Sequence, residues 1–212
     1  MLNSKEMQEV RDRYIELLSS VTRKNCDVQG FIDYLDSTDF FTAPASTQYH
    51  CSFPGGLCLH SLNVCEALSD LVRNKYTNDT VILVSLLHDL DKIGKYEMYT
   101  KNEKVYIEPT DEDYQSPDVK RDAEGFYVWR TKKMYKVADA DRRGFLGNKG
   151  IISYLKASEY FALTDEETNA LVYQYSAVEK EPLCDLSAIL SRYNLAVYLH
   201  SADIIATYCI EK

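Results

Sequence analysis

The chain contains only four histidines, so the positions of these residues are informative about any chemistry that it carries out. His88 and Asp89 stand side by side at the end of the segment VILVSLLHDL, which is otherwise almost wholly apolar. A carboxylate that is buried without a partner is strongly destabilising. Because imidazoles and carboxylates both ligate divalent cations, a bound metal ion would supply that partner. The pair therefore indicates a metal site at the edge of the core.

Two further residues of metal-ligating types lie in other apolar segments. His60 occurs in GGLCLHSLNV, and Asp203 occurs in YLHSADIIATY. Both segments, like the one that ends in His88, are predicted helices. Helical bundles build metal sites from side chains that project inward from facing helices. The chain therefore offers metal ligands from three separate helices.

Helices are predicted wherever apolar residues recur every three to four positions. Thr164 and Glu167 form a capping-box pattern that begins one helix, and Thr77 or Asn78 can cap another. The predicted helices are Ser4–Thr22, Val28–Leu35, one that begins near Gly56, one that begins near Asn78, Lys149–Tyr160, one from Thr164 to about Ser176, and Ser191–Cys209.

Downstream of the histidine–aspartate pair, the pattern changes from helical to alternating. Tyr96–Tyr99 and Lys104–Ile107, separated by Lys101–Glu103, are predicted to form a short β-hairpin. Phe126–Val137 is predicted as one or two further strands, and the acidic segment Thr110–Gly125 as a mobile loop. We therefore predict a mainly α-helical single domain that carries a small β insertion.

The formal net charge is −9, from 24 basic and 33 acidic residues. A protein that binds long nucleic acids normally carries a basic stripe, and the sequence shows none. The charge therefore favours small substrates and argues against long nucleic acid as a partner. No segment reaches the ~18 uninterrupted apolar residues that cross a bilayer, and the polar start MLNSKEMQEV lacks a signal-peptide pattern. We expect a cytoplasmic protein with no membrane partner.

Six cysteines are present, and none of them forms a C-x-x-C pair. Cys58 and Cys65 are two helical turns apart, which places them on one face of a helix. Structural zinc sites use closer ligand pairs. We therefore predict reduced thiols that pack as small hydrophobic side chains.

Three segments resemble, in the same order, bacterial and phage phosphohydrolases of the HD-domain superfamily. They are YHCSFPGGLCLHSLNV, LLHDLDKIGKYEMY and YLHSADIIATY, and the resemblance covers about 49–208. Within them, His60, then His88 and Asp89, then Asp203 match the H…HD…D signature of the superfamily. A lone HD dipeptide is a weak signal, whereas three matched segments in order are a specific one.

The resemblance implies a mainly α-helical HD-domain bundle with a small β-hairpin insertion. The expected arrangement is one domain over 1–212, with N-terminal helices in 1–38, a core formed by 39–95 and 145–212, and a β-containing insertion at about 96–144. The implied function is hydrolysis of a nucleotide or another small phosphorylated molecule. A homodimer is expected only by analogy with such folds.

The resemblance also implies a role for individual residues. One divalent metal ion would be held by His60, His88, Asp89 and Asp203, and Asp89 and Lys92 would be catalytic. Two imidazoles and two carboxylates favour Mn, Fe, Co, Ni or Zn over Mg. Lys92, in the HD-x-x-K position, is a candidate phosphate contact, and a surface lysine after a helix end is the alternative.

The chain departs from the resembled group at two positions. Asn148 in FLGNKGI and Gln174 in LVYQY stand where the group commonly has histidines. Amides offer hydrogen bonds but are poor ligands for transition metals, so we predict one metal ion and assign both residues to substrate binding. His50 is a third candidate substrate contact, because histidine often holds its position in the group. A loop histidine bonded to the backbone fits His50 equally well.

Several other residues have two interpretations each. His200 either orients Asp203 or is a core histidine bonded to a carbonyl. Asp91 is either an additional acid near the metal or a helix-end carboxylate. The tyrosines of the insertion either pair across strands or stack on a base, and the basic residues beside them either meet a phosphate tail or form a solvated face. These are Tyr96, Tyr99, Tyr106, Tyr127 and Tyr135, with Arg130, Lys132 and Lys133.

Two other functions are compatible with the same residues. The first is a nuclease that acts on single-stranded ends, which the acidic charge and the lack of an attached nucleic-acid-binding module disfavour. The second is a non-catalytic module that binds metal and nucleotide, which the two missing histidines leave open. Cleavage assays with oligonucleotides and mononucleotides separate the first from the leading hypothesis, and the absence of turnover would identify the second.

Overall fold

The computed structural model describes residues 2–139, 147–175 and 186–211, and over these ranges the protein is mainly α-helical. The helices are α1 (Ser4–Ser19), α2 (Val28–Asp36), α3 (Gly56–Val72), α4 (Asn78–Leu87), α5 (Lys149–Ser158), α6 (Asp165–Tyr173), α7 (Leu186–Arg192) and α8 (Leu195–Ile205). The strands are β1 (Tyr96–Ile107), β2 (Lys120–Arg121) and β3 (Phe126–Val137). No helix within these ranges combines the length and apolarity that crossing a membrane requires.

Local sequence signals determine where the helices begin. The predicted capping box is confirmed: Thr164 accepts a hydrogen bond from the N–H of Glu167, whose side chain accepts one from the N–H of Thr164. Thr77, and not Asn78, caps α4 by accepting a hydrogen bond from the N–H of Thr80. Each cap satisfies a backbone donor that has no partner within the helix.

Helix α4 lies at the centre of the core. Every residue from Thr80 to Leu87 is buried, and α4 packs against α1, α3, α5 and α6. Tyr14 of α1 is fully buried, and its hydroxyl donates a 2.8 Å hydrogen bond to the carbonyl of Leu86. This packing fixes the end of α4, and therefore the position of His88, which follows it.

The prediction of a short hairpin between Tyr96 and Ile107 is wrong. This segment is one continuous strand, β1, which pairs antiparallel with β3 from Tyr96↔Val137 to Ile107↔Phe126. Asn102, within the predicted turn, instead pairs with Thr131, and their side chains form a 2.9 Å hydrogen bond. Because the distant strand satisfies the backbone of this segment, no local turn is needed.

The rest of the insertion is more regular than the sequence indicates. Phe126–Val137 forms a single strand, and the segment predicted as a loop contains a 3₁₀ turn (Glu112–Gln115) and strand β2. The sheet order is β1-β3-β2. The insertion is therefore a long two-stranded ribbon with a short third strand at one end.

The predicted helix Ser191–Cys209 is also wrong in its boundaries. Helix α7 ends at Arg192, α8 runs from Leu195 to Ile205, and a π-helical turn (Ala206–Ile210) follows. The break is stabilised from another helix, because Glu166 of α6 accepts a 2.9 Å hydrogen bond from the N–H of Leu195. The apolar periodicity of the sequence cannot predict a hydrogen bond to another helix.

Of the five described cysteines, Cys51, Cys58 and Cys65 are buried, Cys26 is half-buried and Cys209 is exposed. Cys58 and Cys65 are buried on α3, and both are free thiols, as predicted. Burial raises the pKa of both groups, which keeps them protonated and unreactive. Cys184 lies outside the described residues.

Candidate metal centre

The four predicted metal ligands come together from three parts of the fold. Nε2 of His60, on α3, lies 3.1 Å from Oδ1 of Asp203 on α8 and 3.4 Å from Oδ2 of Asp89. Nε2 of His88, at the end of α4, lies 3.3 Å from the same oxygen of Asp89. Ligand atoms of His60, His88 and Asp203 all lie within 4.8 Å of one another. Three helices thus present two imidazoles and two carboxylates to one point.

The two imidazoles are oriented as metal ligands. Nδ1 of His88 donates a 2.7 Å hydrogen bond to the carbonyl of Ser85, and Nδ1 of His60 lies 2.9 Å from a carboxylate oxygen of Glu211. In both rings the remaining nitrogen, Nε2, is buried and lies 3.1–3.4 Å from carboxylate oxygens without forming a well-aligned hydrogen bond within the described ranges. Buried polar atoms are rarely left without a partner, and a divalent cation would satisfy both. The donor set therefore fits one metal ion.

Asp89 is held from two sides. Its Oδ1 accepts a hydrogen bond from the hydroxyl of Tyr175, and its Oδ2 lies 2.6 Å from Nζ of Lys92. Burial raises the pKa of Asp89, but nearby His88 and the ammonium of Lys92 outweigh it and hold the pKa well below its usual range. Asp89 is therefore an ionised carboxylate with a fixed orientation. Tyr175 was not predicted as a site residue, because the chain has 17 tyrosines and nothing in the sequence distinguishes this one.

Glu211 fixes the orientation of His60, and it too was not predicted. One of its oxygens accepts from Nδ1 of His60 and from the amide of Asn63, each at 2.9 Å. Its side chain is only 2 % exposed. Burial lowers the pKa of His60, but the carboxylates of Asp203 and Glu211 outweigh it and raise that pKa to about 9. The π-helical turn after α8 brings Glu211 to this position, and such turns are frequent at functional sites.

Replacing Glu211 with alanine is expected to weaken metal binding by about 10–100-fold. Without this carboxylate, His60 loses the acceptor that holds its Nδ1–H and keeps Nε2 free for a cation. Competition with a chelating dye would measure the dissociation constant of cobalt or nickel. Glu159→Ala, a change at the exposed C-cap of α5, is the matched control and should bind as the wild type does. Equal affinities for Glu211→Ala and wild type would contradict this role.

A cavity of about 450 Å³ opens beside the centre. Its described lining residues include three lysines and two histidines, and Asp203 is the single carboxylate among them. Lys92 and Lys95 are paired with Asp89 and Asp91, but these two carboxylates do not line the cavity, so the lining itself presents more ammonium groups than carboxylates. The lysines are Lys92, Lys95 and Lys149, and the histidines are His50 and His200. The pocket therefore favours an anionic ligand next to the proposed metal.

His50 and His200 each place a ring nitrogen without a hydrogen-bond partner near this cavity. Nε2 of His50 and Nδ1 of His200 are buried and unpaired among the described residues. Burial, followed by the proximity of His60 and Lys92, lowers the pKa of His50 to about 4. His50 is therefore a neutral ring that lines the cavity, and Nδ1 of His200 bonds neither to Asp203 nor to a carbonyl.

The other predicted substrate contacts do not line the cavity. Asn148 caps α5 by accepting a 3.1 Å hydrogen bond from the N–H of Ile151. Gln174 is buried, and its amide donates a 2.9 Å hydrogen bond to the carbonyl of His88. Gln174 therefore supports the backbone beside the centre. The two positions are occupied by structural hydrogen bonds because a cap and a buried carbonyl each require a partner.

Asp91 lies near the centre but is directed away from it. Its carboxylate forms a 2.6 Å ion pair with Lys95, and its N–H donates to the hydroxyl of Ser153 on α5. Burial, and then the charge of Asp89, raise the pKa of Asp91. These contacts correspond to the helix-end carboxylate and not to an additional acid at the metal.

Comparisons with protein-family models, with curated proteins and with solved structures find no match to this chain. A functional assignment therefore depends on the geometry of the centre, on the cavity beside it and on the resemblance in sequence described above.

Proposed function

We propose that this chain is a metal-dependent phosphohydrolase of the HD-domain type that acts on a nucleotide or another small phosphorylated molecule. The observation that carries the proposal is the cluster of His60, His88, Asp89 and Asp203 beside a cavity that Asp203 lines together with three lysines. A site that only stores a metal does not need such a cavity. A site that hydrolyses phosphate esters needs both a metal ion and a cavity lined by positive charges, because the substrate is an anion.

Each residue of the centre has a definite task in this proposal. A divalent ion held by the two imidazoles and the two carboxylates would polarise a phosphoryl oxygen and lower the pKa of a bound water. Tyr175 and Lys92 keep Asp89 ionised and oriented. Lys92 also lines the cavity, so its ammonium is placed to contact a phosphate group beside Asp89.

We propose one metal ion per chain, with Mn, Fe, Co, Ni or Zn favoured over Mg by the imidazoles. His50, His60 and Glu211 also lie close enough to form a second ligand group. In this group, however, Nδ1 of His60 is already occupied by Glu211. Two tightly bound ions per chain in a metal analysis would contradict this prediction.

A hydrolysis screen tests the function directly. Nucleoside mono- and triphosphates, cyclic nucleotides and an aryl phosphate would each be incubated with the protein and Mn, Co, Ni or Mg. Release of phosphate or of a nucleoside phosphate with at least one of these metals is expected. Binding of metal and nucleotide without turnover under any of these conditions would instead support a non-catalytic binding module.

A further inference from the structure

The β1–β3 ribbon has two faces of different composition. One face, called the aromatic face below, consists of the even-numbered residues 96–106 and the odd-numbered residues 127–137, which are paired across the strands. None of these positions holds Asp or Glu. They carry five aromatic rings and two lysines, and Trp129, Met98 and Tyr106 are 53 %, 54 % and 43 % exposed. This face is therefore an exposed apolar and cationic surface.

On the opposite face, in contrast, three of the four basic residues pair with carboxylates, and Lys101 is the fourth. Lys136 lies 2.7 Å from Glu97, Lys132 lies 3.9 Å from Glu103, and Arg130 contacts Asp113. On the aromatic face, Lys104 pairs with Asp122, whereas Lys133 has no acidic partner within the described part of the chain. An unpaired cation among exposed rings fits a polyanion that also presents flat rings.

The aromatic face begins next to the cavity at the metal centre, and Tyr96 is the residue that they share. A groove of about 450 Å³ lies between the start of the ribbon and the segment 39–54, and Met98, Lys133 and Tyr135 line its ribbon side. Asp39 lines the other side, where it accepts a hydrogen bond from the N–H of Gly94. Tyr96 lines both this groove and the cavity beside Asp203. A ligand that passes Tyr96 would therefore reach from the cavity at the centre to the ribbon.

We propose that the aromatic face binds single-stranded nucleic acid, whose terminal phosphate enters the cavity at the metal centre. This inference rests on the proposed function and narrows its substrate to the end of an oligonucleotide. Base stacking on aromatic rings and a few basic contacts suffice for such binding without sequence preference. An acidic chain can bind this way because no position of the face holds a carboxylate, and the Asp122 carboxylate that contacts the face is paired with Lys104.

Trp129 provides a direct test, because it is the only tryptophan of the chain. It pairs with Lys104, eight residues along β1 from Tyr96, which is about 27 Å at ~3.4 Å per residue. A mononucleotide in the cavity therefore cannot reach it. We expect a 12-nucleotide oligothymidylate, with chelator present to prevent cleavage, to quench Trp129 fluorescence saturably, and thymidine monophosphate to leave it unchanged. No quenching by the oligonucleotide would overturn the proposal.

Two lysines that are adjacent in sequence provide the matched variants. Lys133→Gln on the aromatic face should weaken binding several-fold and reduce the slope of log K against log salt by about 0.7, the loss of one phosphate contact. Lys132→Gln, on the opposite face, should bind as wild type. Equal losses in both variants would mean unspecific attraction and would overturn the proposal.

Failure of this inference is distinguishable from failure of the proposed function. Hydrolysis of mononucleotides without oligonucleotide binding would contradict only the role of the ribbon. Oligonucleotide binding without phosphate release from any substrate would contradict the hydrolase and leave a nucleic-acid-binding face.

Discussion

Replacing Asp89 with asparagine is expected to lower the rate of phosphate release by about 1,000-fold, which corresponds to ~4 kcal/mol of transition-state stabilisation. The introduced amide would keep an oxygen for the hydroxyl of Tyr175, so the fold should be retained. It would not carry the negative charge that lies within 3.4 Å of Nε2 in both His60 and His88. An amide is a poor ligand for a transition metal, so both the metal and its chemistry should be lost.

Asp91→Asn is the control for this experiment. Asp91 is also buried and lies two residues away, but its carboxylate pairs with Lys95 and does not face the imidazoles. Its replacement should change the rate by less than about tenfold, the effect of a neighbour that does not touch the reacting groups. Full activity of Asp89→Asn, or equal losses in the two variants, would show that Asp89 is not a metal ligand.

The second large effect concerns stability and involves Glu167 of α6. Glu167→Ala is expected to lower the free energy of unfolding by about 3–5 kcal/mol, because it leaves Arg23 without its partner. The Glu167 side chain is fully buried and forms two 2.6 Å hydrogen bonds with Arg23 and one of 2.7 Å with Thr80. Denaturation by urea would measure the loss. Asp165→Ala, an exposed change in the same helical turn, should cost less than ~1 kcal/mol.

The effect of Glu167→Ala should depend on pH. Burial raises the pKa of Glu167, but the hydrogen bonds from Arg23, Thr164 and Thr80 outweigh it and leave the pKa lowered. A carboxyl group with a lowered pKa in the folded state stabilises the fold above its unfolded pKa of about 4.3. That stabilisation is lost as the pH falls through the folded value. The difference between wild type and variant should therefore shrink below about pH 4, and a constant difference would contradict the ion pair.

The proposed metal ligands are the part of the site that the sequence predicts best. His60, His88 and Asp203 are polar residues in helices that are otherwise apolar, and burial of such residues needs an explanation that a shared metal supplies. Glu211 and Tyr175 could not be predicted in the same way. Their contacts depend on a π-helical turn and on the packing of α6 beside α4, neither of which has a local signal.

The errors in the predicted fold have the same origin as the failure to predict Glu211 and Tyr175. The capping residues and apolar periodicity of α1 to α6 are local, so the sequence predicts where these helices begin. The length of β1 depends on β3, which lies about 20 residues further along the chain and satisfies the backbone where a turn was expected. The start of α8 depends on Glu166 of another helix. The extent of β1 and the start of α8 are therefore both set by residues that are distant in sequence.

The central claim is that His60, His88, Asp89 and Asp203 together hold one divalent metal ion. Its most direct test is the metal content per chain of wild type and of His88→Ala, after equilibration with manganese, cobalt or nickel and removal of unbound ions. We expect one ion per chain in the wild type and less than a tenth of that in the variant, with both proteins folded by circular dichroism. A wild type without tightly bound metal, or a variant that binds as much as the wild type, would contradict it.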